Sequence, residues 1–176
     1  MKPLILDRDG VINKERDDYI LSPKDWIPIK GSLEAISKAK SQGFYIIVVS
    51  NQSALGRGWM SIEDLNSINR KMQSTLAKFG GRIDAFLFCP HNPADNCDCR
   101  KPKTALLDSF RLRTGINYKD CPFFGDRISD IEVAKKIGAR PILVNSGKAN
   151  SNPPPDILVF DDLATAMQEI VLRQTT

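Results

Sequence analysis

Short apolar runs alternate along this chain with amphipathic segments of helical period, and this alternation constrains the fold more than any other feature. Parallel strands that are buried on both faces read as continuous apolar runs, and each needs a helical crossover to the next strand. The pattern therefore predicts an α/β fold, with a mainly parallel central sheet inside a three-layer α/β/α sandwich. The predicted strands are Leu4–Leu6, Tyr45–Val49, Ala85–Phe88, Pro122–Phe124, Pro141–Val144 and Ile157–Val159.

Capping and glycine signals indicate where the helices lie between these strands. Ser61 followed by Asp64 is typical of a capping box that opens a helix, and Gly43 and Gly138 mark helix ends. Ser146–Pro155, with three consecutive prolines, is expected to be an ordered loop. The predicted helices are Ser32–Gln42, Ser61–Phe79, Thr104–Arg113, Ser129–Ile137 and Leu163–Leu172.

Composition and charge bear on domain number and on the class of partner. The chain has 176 residues, of which 41% are hydrophobic, so one domain over residues 1–176 is expected. The formal net charge is +4 with basic and acidic residues interspersed, which favours a small anionic substrate over nucleic acid. The sequence has no run of 18 apolar residues and no leader-like start, so we expect a cytoplasmic protein without a membrane segment. The sequence contains no exposed heptad repeat that would indicate obligate assembly, so a monomer is expected.

The segment 7–13 reads DRDGVIN and directly follows the first apolar run. Two carboxylates two residues apart, just beyond a buried strand, can serve a site built around a cation. Asp7 is expected to attack phosphorus as a nucleophile, and Asp9 to act as general acid and then general base. Mg²⁺ is expected to be held by Asp7, the backbone carbonyl of Asp9 and Asp126, which follows the fourth strand. An Asx-rich turn is the alternative explanation of the same letters.

Polar residues follow other predicted strands at the points where these strands end. In parallel α/β sheets the carboxyl ends of the strands meet at one edge, where ligands bind. Ser50, Asn51 and Gln52 follow the second strand and are expected to contact the phosphate, and Lys101 is expected to place a positive charge on it. Taken singly, each segment also fits an ordinary turn or a solvated charged pair. Their order at successive strand ends favours a phosphoryl-transfer site.

The set of motifs resembles the four motifs of the haloacid dehalogenase (HAD) superfamily of phosphatases over about residues 4 to 145. The segments DRDGVIN at 7–13, SNQSALGRG at 50–58 and CPH…CDCRKP at 89–102 are most similar to the D-glycero-D-manno-heptose 1,7-bisphosphate phosphatase and histidinol-phosphatase group. The resemblance implies a Rossmann-like domain that hydrolyses phosphomonoesters with Mg²⁺ through an aspartyl-phosphate. It also implies that Asp130 supports the metal site without binding the metal directly, and that Asn51 touches the transferring phosphate.

Three of the four cysteines cluster with the only histidine of the chain. Cys89, His91, Cys97 and Cys99 form the pattern C-x-H-x5-C-x-C, which supplies four ligands within eleven residues. Such a set is sufficient for a closed tetrahedral zinc site, whose expected role is to order the loop at about 89–99 rather than to catalyse. A disulfide or unrelated buried cysteines are the alternatives. Cys121 is expected to be a small core residue.

The resemblance also bears on the substrate. Many members of this superfamily carry a cap domain, but the gap from Asn13 to Ser32 is too short for one, so a capless domain with an open site is expected.

Three arginines are candidates for binding a second anionic group of the substrate: Arg57, Arg100 and Arg127. Arginine at position 127 departs from the lysine expected there in heptose phosphatases. The leading interpretation is removal of the 7-phosphate from a heptose 1,7-bisphosphate, a step toward activated heptose for lipopolysaccharide and other surface glycans.

Three alternatives stay open at this point. A histidinol-phosphate phosphatase calls for acidic groups around an imidazole or amine, which Glu15, Asp17 and Asp18 could supply. A polynucleotide 3′-phosphatase calls for a basic groove with interleaved aromatic residues, which the sequence lacks. A zinc-ordered binding protein without catalysis predicts that Asp7→Asn has no functional effect.

Overall fold

In a computed structural model of the protein, which describes residues 1–148 and 153–172, the six apolar runs form six strands of one sheet. Every neighbouring pair is parallel, and the strand order is β3-β2-β1-β4-β5-β6. All six predicted strands are confirmed, each within two residues of its bounds. The strands are β1 (Lys2–Leu6), β2 (Phe44–Asn51), β3 (Ala85–Cys89), β4 (Pro122–Gly125), β5 (Arg140–Val144) and β6 (Leu158–Phe160).

Strand β1 lies at the centre of the sheet, and the chain builds outward from it in both directions. Leu6 pairs with Val48 of β2 on one side and with Phe124 of β4 on the other. The strand order therefore reverses between β1 and β4. In open parallel sheets, ligands bind in the crevice beyond the carboxyl ends of the strands at this switch point. Asp7 and Asp126, the residues that follow β1 and β4, stand on its two sides.

Helices cover both faces of the sheet, which confirms the predicted three layers. On one face, Leu4, Leu6 and Val48 pack with α1, α3 and α6, and on the other Ile5 and Ile47 pack with α4 and α5. Alternate residues of a strand point to opposite faces, so each central strand contributes to both cores. The helices are α1 (Ser32–Ser41), α2 (Ser53–Gly56), α3 (Ile62–Ala77), α4 (Ala105–Thr114), α5 (Ile128–Ile137) and α6 (Leu163–Met167).

Local capping chemistry explains where several helices begin and end. The backbone N–H of Ser61 donates to Asp64 Oδ2 at 2.9 Å, and the N–H of Asp64 donates to Ser61 Oγ at 3.1 Å, so the predicted capping box opens α3. Helix α5 ends at Gly138, whose φ of 78° is left-handed and suits glycine. After α6, the last predicted helix continues as a π-helical turn over Gln168–Leu172.

Two short elements and the strand ends differ from the sequence-based expectation. Helix α2 and a 3₁₀ turn over Pro93–Asp95 were not predicted, because segments of three or four residues carry no periodic signal. Ser50 and Asn51 were expected to follow the second strand but belong to it, since the ladder with β3 continues to the pair Asn51 and Cys89.

The remaining segments carry no cap domain in the described part of the chain. Residues 7–31 between β1 and α1 form turns and two isolated bridges. Within the loop predicted at Ser146–Pro155, residues 149–152 lie outside the described residues. None of the helices in the described ranges is long and apolar enough to cross a membrane.

Candidate active site

Asp7 stands at the carboxyl end of β1, where its backbone N–H extends the ladder by donating to the carbonyl of Phe124 at 2.9 Å. The side chain is 9% exposed, and its Oδ1 accepts a 2.7 Å hydrogen bond from the backbone N–H of Arg8. The ammonium of Lys101 lies 2.9 Å from the same oxygen. The carboxylate is therefore held in one orientation at the floor of a pocket.

Lys101 is buried, and its ammonium contacts three oxygens of the protein. Besides Asp7 Oδ1, it lies 2.7 Å from Asp130 Oδ1 and donates to the carbonyl of Val49 at 2.9 Å. Asn51 holds the backbone of Lys101 from both sides: its Oδ1 accepts from the N–H at 3.0 Å, and its Nδ2 donates to the carbonyl at 3.3 Å. Lys101, which was predicted to contact the phosphate, thus lies beside Asp7 with its positive charge already shared between two carboxylates.

Asp7, Asp126 and Asp130 bring one carboxylate oxygen each to within 4.8 Å of one another. Asp126 is fully buried, and its Oδ1 has no hydrogen-bond partner. Its Oδ2 accepts from the backbone N–H of Lys148 at 3.0 Å. Buried polar atoms almost always have a partner, so the Oδ1 atom of Asp126 is available to bind a cation.

Two glycines pack directly against Asp126. A Cβ atom at Gly10 would lie 2.5 Å from Asp126 Oδ2, and one at Gly147 would lie 2.1 Å from it. Gly10 also has a φ of 80°, which the tight turn after Asp9 requires. Close-packed oxygen donors of this kind fit a hard divalent cation such as Mg²⁺.

The electrostatics of this carboxylate cluster also favour a bound divalent cation. Burial raises the pKa of Asp7 to about 8; Lys101 opposes the rise, and the neighbouring Asp130 and Asp126 add to it. Burial likewise raises the pKa of Asp126 to about 7, with contributions from Asp130 and Glu15. Ionising these groups together is unfavourable without a further cation, and a bound divalent ion supplies that positive charge.

Asp9 faces the pocket with a quarter of its side chain exposed. It accepts two hydrogen bonds from Arg8, one from Asn13 and one from Gln52, each at 2.9 Å. Burial alone would raise the pKa of Asp9, but the Arg8 guanidinium and the donated hydrogen bonds outweigh it and hold that pKa below its ordinary value. Asp9 is therefore ionised near neutral pH in this arrangement.

The pocket above these residues has a volume of about 360 Å³. Arg57 does not line it. The guanidinium of Arg57 lies over the ring of Trp59, 5.0 Å from the ring centroid. Both residues line a neighbouring hollow beside the loop at 89–99. The predicted residues that do line the pocket are Asp7, Asp9, Ser50, Asn51, Gln52, Arg100, Lys101 and Arg127.

Charges at the mouth of the pocket are largely paired. Arg127 forms an ion pair with Glu15 and lies 3.9 Å from Asp126 Oδ1. The ammonium of Lys148 lies 3.0 Å from Asp17. Asp18 accepts a 2.8 Å hydrogen bond from Arg16 Nε. The three acidic groups considered for an imidazole or amine substrate thus each have a cation of the protein beside them.

The thiol and imidazole groups of Cys89, His91, Cys97 and Cys99 converge, with their donor atoms within 4.8 Å of one another. Cys99 Sγ lies 3.2 Å from Cys89 Sγ and 3.5 Å from Cys97 Sγ, and His91 Nδ1 lies 3.1 Å from Cys99 Sγ. With Zn–S bonds of about 2.3 Å, tetrahedral zinc needs slightly larger separations of the same order. The set therefore fits zinc. Cys121 lies apart, buried in the core as predicted.

The loop at 89–99, which carries the cysteine and histidine cluster, is hydrogen-bonded to helix α2 beside the pocket. Its Pro90 carbonyl accepts from the N–H of Gly56 in α2 at 2.8 Å, and Asn92 Nδ2 donates to the Gly56 carbonyl at 2.9 Å. Arg100 and Lys101 follow the last ligand, Cys99, directly in the chain. The conformation of this loop therefore affects where Arg100 lies, whereas Lys101 is also held by Asn51 and by the oxygens around its ammonium.

Comparison with known proteins decides the family. The HAD-hydrolase-like family model matches residues 98–166. A D-glycero-β-D-manno-heptose-1,7-bisphosphate 7-phosphatase of Pseudomonas putida is 38% identical over 175 residues, which cover 97% of this chain and 100% of that protein. The chain belongs to the heptose-bisphosphate phosphatase family of HAD hydrolases. The predicted resemblance is confirmed, and the protein is a phosphatase.

Two further relatives of this family extend the comparison. A crystal structure of D,D-heptose 1,7-bisphosphate phosphatase from Bordetella bronchiseptica, complexed with magnesium and phosphate, is 35% identical with a TM-score of 0.92, covering 98% of this chain and 99% of that chain. A D-glycero-α-D-manno-heptose-1,7-bisphosphate 7-phosphatase of Mycobacterium bovis is 39% identical over 140 residues, covering 77% of this chain and 73% of that protein.

Sequence reasoning missed the residues that surround Asp9. Arg8 and Asn13 lie inside the DRDGVIN segment but were given no role. Trp26, which donates from Nε1 to Asn13 Oδ1 at 3.0 Å, lies 13 positions further along the chain. The position of Arg8 between two aspartates could have indicated that it pairs with one of them. No local pattern indicates the contact between Asn13 and Trp26.

Proposed function

We propose that this protein removes the 7-phosphate from D-glycero-D-manno-heptose 1,7-bisphosphate through an aspartyl-phosphate at Asp7, in the synthesis of activated heptose for lipopolysaccharide or other surface glycans. The observation that carries the proposal is the position of Asp7. It stands buried at the carboxyl end of the central strand, beside the unpartnered oxygen of Asp126 and beneath an open pocket. The names of the full-length relatives support the choice of substrate.

In the first step, a carboxylate oxygen of Asp7 forms a bond to phosphorus while the bond from phosphorus to the sugar oxygen breaks. Asp9 gives its proton to the departing oxygen. The negative charge of the bound substrate raises the pKa of Asp9 and so favours the protonated form that this step needs. Ser50 and Asn51 line the pocket, and we propose that they donate hydrogen bonds to the phosphate oxygens.

In the second step, the ionised Asp9 takes a proton from a water molecule whose oxygen attacks phosphorus. The bond between phosphorus and Asp7 breaks, which releases inorganic phosphate and restores the Asp7 carboxylate. Lys101, held between Asp7 and Asp130, stabilises negative charge at the nucleophile throughout.

Mg²⁺ is the proposed catalytic cofactor. Asp7, Asp126 and the backbone carbonyl of Asp9 would hold it, and Asp130 would support the site through Lys101. When bound, the ion neutralises the repulsion between the Asp7 carboxylate and the phosphate.

Zinc is the proposed structural cofactor, held by Cys89, His91, Cys97 and Cys99. A site with four protein ligands leaves no position for a catalytic water, so its role is to order the loop. That loop positions Arg100, which lines the pocket together with Arg127. We propose that these two arginines bind the second phosphate; Arg57, over Trp59 in the neighbouring hollow, is not part of this proposal.

The test compares kcat/KM, with Mg²⁺, for the two anomers of the heptose 1,7-bisphosphate, the heptose 7-phosphate and histidinol phosphate. We expect the bisphosphates to be preferred by at least about tenfold over both monophosphates, because one lost charged contact costs about 1.4 kcal/mol or more. Arg100→Ala should abolish that preference, whereas Arg57→Ala should leave it. A preference for histidinol phosphate would overturn the proposal.

We also propose that the protein is a cytoplasmic monomer with one domain over residues 1–176.

A further inference from the structure

We propose that Arg8 and Gln52 are positioning residues that fix the Asp9 carboxylate for its two proton transfers. The inference rests on the proposed function above, in which Asp9 exchanges the proton. It assigns a role to Arg8, which sequence reasoning left without one. It also changes the role of Gln52, which was expected to bind the phosphate.

Arg8 grips Asp9 with two parallel hydrogen bonds. Its Nε donates to Asp9 Oδ1 and its Nη2 to Asp9 Oδ2, both at 2.9 Å. The Arg8 side chain is only 3% exposed, whereas that of Asp9 is 25% exposed. A planar guanidinium fixes both the position and the plane of a carboxylate, which a lysine ammonium does not do. One side of Asp9 is therefore clamped within the protein, and the other faces the pocket.

Gln52 links this clamp to strand β2. Its Oε1 accepts from Arg8 Nη2 at 3.0 Å, and its Nε2 donates to Asp9 Oδ2 at 2.9 Å and to Ser50 Oγ at 2.7 Å. Both polar ends of the Gln52 amide are thus engaged within the protein. This arrangement favours a role in holding Asp9 over direct contact with a phosphate.

Both oxygens of Asp9 are held by donors of the protein. Oδ1 accepts from Arg8 Nε and Asn13 Nδ2, and Oδ2 accepts from Arg8 Nη2 and Gln52 Nε2. The plane of the carboxylate and its distance from the pocket are therefore set by the side chains around it.

The test uses two substrates that differ in how much they need a general acid. Departure of an alkyl oxygen, as in a sugar phosphate, needs a proton, whereas p-nitrophenolate leaves without one. Because kcat/KM reports the steps up to phosphoryl transfer, misplacing Asp9 lowers kcat/KM for the sugar phosphate alone. Hydrolysis of the aspartyl-phosphate is common to both substrates and needs Asp9 as base, so kcat falls for both.

We expect Arg8→Lys and Gln52→Leu to lower kcat/KM for the heptose bisphosphate by about 10- to 100-fold and for p-nitrophenyl phosphate by less than about threefold. With p-nitrophenyl phosphate, kcat and KM should fall together and aspartyl-phosphate should accumulate after acid quenching. Arg70→Met, at an exposed arginine of α3, is the matched control and should change neither value.

Equal loss on both substrates would overturn the inference, because it would mean that these residues serve the phosphate or the fold as a whole. Unchanged values for both would also overturn it. If Arg8→Lys does not fold, Gln52→Leu, which leaves the Arg8–Asp9 pair in place, decides by the same comparison. Should wild-type protein cleave p-nitrophenyl phosphate and another alkyl phosphate but not the heptose bisphosphate, the substrate proposal fails while the role of Arg8 is still tested.

Discussion

The two clusters of potential metal ligands in this protein are built in opposite ways. The carboxylate cluster brings Asp7 together with Asp126 and Asp130, more than a hundred positions further along the chain, and buries all three at the switch point of the sheet. The cysteine and histidine cluster takes its four donors from eleven consecutive residues, from the end of β3 to the loop that follows it. Hard oxygen donors suit Mg²⁺, and sulfur and imidazole donors suit zinc. Folding of the sheet is thus needed to bring the carboxylates together, whereas the spacing of the residues along the chain is sufficient to bring the cysteines and the histidine together. The loop that carries the second cluster lies beside the pocket that the first cluster lines.

The largest effect is expected from removing the proposed nucleophile from the carboxylate cluster. Asp7→Asn should reduce kcat by at least about 10⁴-fold, because the amide cannot form the covalent intermediate. The protein should still fold and should keep its zinc content. Asp108→Asn, at an exposed carboxylate of α4, is the control and should retain full activity. Retained turnover in Asp7→Asn would remove Asp7 as the nucleophile.

Zinc removal tests whether the second cluster acts on the first only through the loop. Cys99→Ser should lose zinc and lower kcat/KM by about 10- to 100-fold, since the segment that carries Arg100 and Lys101 is no longer held from the side of the loop. Zinc content is measured by mass spectrometry, and the shift of the melting temperature with Mg²⁺ reports the first cluster. Asp98→Asn, between two of the ligands, is the matched control. Full activity of the zinc-free protein would show that the loop does not position these cations.

The smallest expected effect concerns stability and pH in metal-free protein. The pKa of Asp7 is raised to about 8 and that of Asp126 to about 7, so the folded state binds protons more tightly than the unfolded state. Their stabilisation is complete below the unfolded pKa of about 4 and is lost as pH rises through 7 to 8. The melting temperature should therefore fall over that range, and Mg²⁺ should restore more of it at pH 8 than at pH 5.

A single substitution isolates this pH effect. Asp126→Asn should raise the melting temperature of metal-free protein at pH 8 by about 5 °C and remove most of its response to Mg²⁺, while zinc stays bound. A variant that melts lower than wild type at pH 8 without metal would contradict the raised pKa of Asp126.

Sequence patterns predicted the parallel sheet, most of the helices and both ligand clusters, for identifiable reasons. Continuous apolar runs report burial on both faces, and the capping box at Ser61 reports a helix start. Residues after strands β1 and β4 meet because parallel strands share one edge. The spacing of the four cysteine and histidine ligands is a local property of the chain and needs no knowledge of the fold.

What the sequence left hidden depends on contacts between distant residues. Arg8 and Gln52 are 44 positions apart, and no local pattern indicates that they share Asp9. Lys101 reads as a free phosphate ligand until burial places it against Asp7 and Asp130. Arg57 looks available for a substrate, but the unpredicted helix α2 ends beside it and its guanidinium lies over Trp59. Side-chain pairing of this kind is decided by tertiary packing.

The lysine at position 101 also sets the charge balance of the reaction centre. When Asp7, Asp126 and Asp130 are all ionised, their three negative charges and the ammonium of Lys101 leave a net charge of two negative units at the floor of the pocket. One divalent ion would cancel that charge completely, whereas a monovalent ion would leave half of it. A phosphate dianion would then meet an electrically neutral floor, and under the proposed roles of Arg100 and Arg127 its attraction to the pocket would come from these two arginines. Affinity for the substrate and reactivity toward it are thus assigned to different charges.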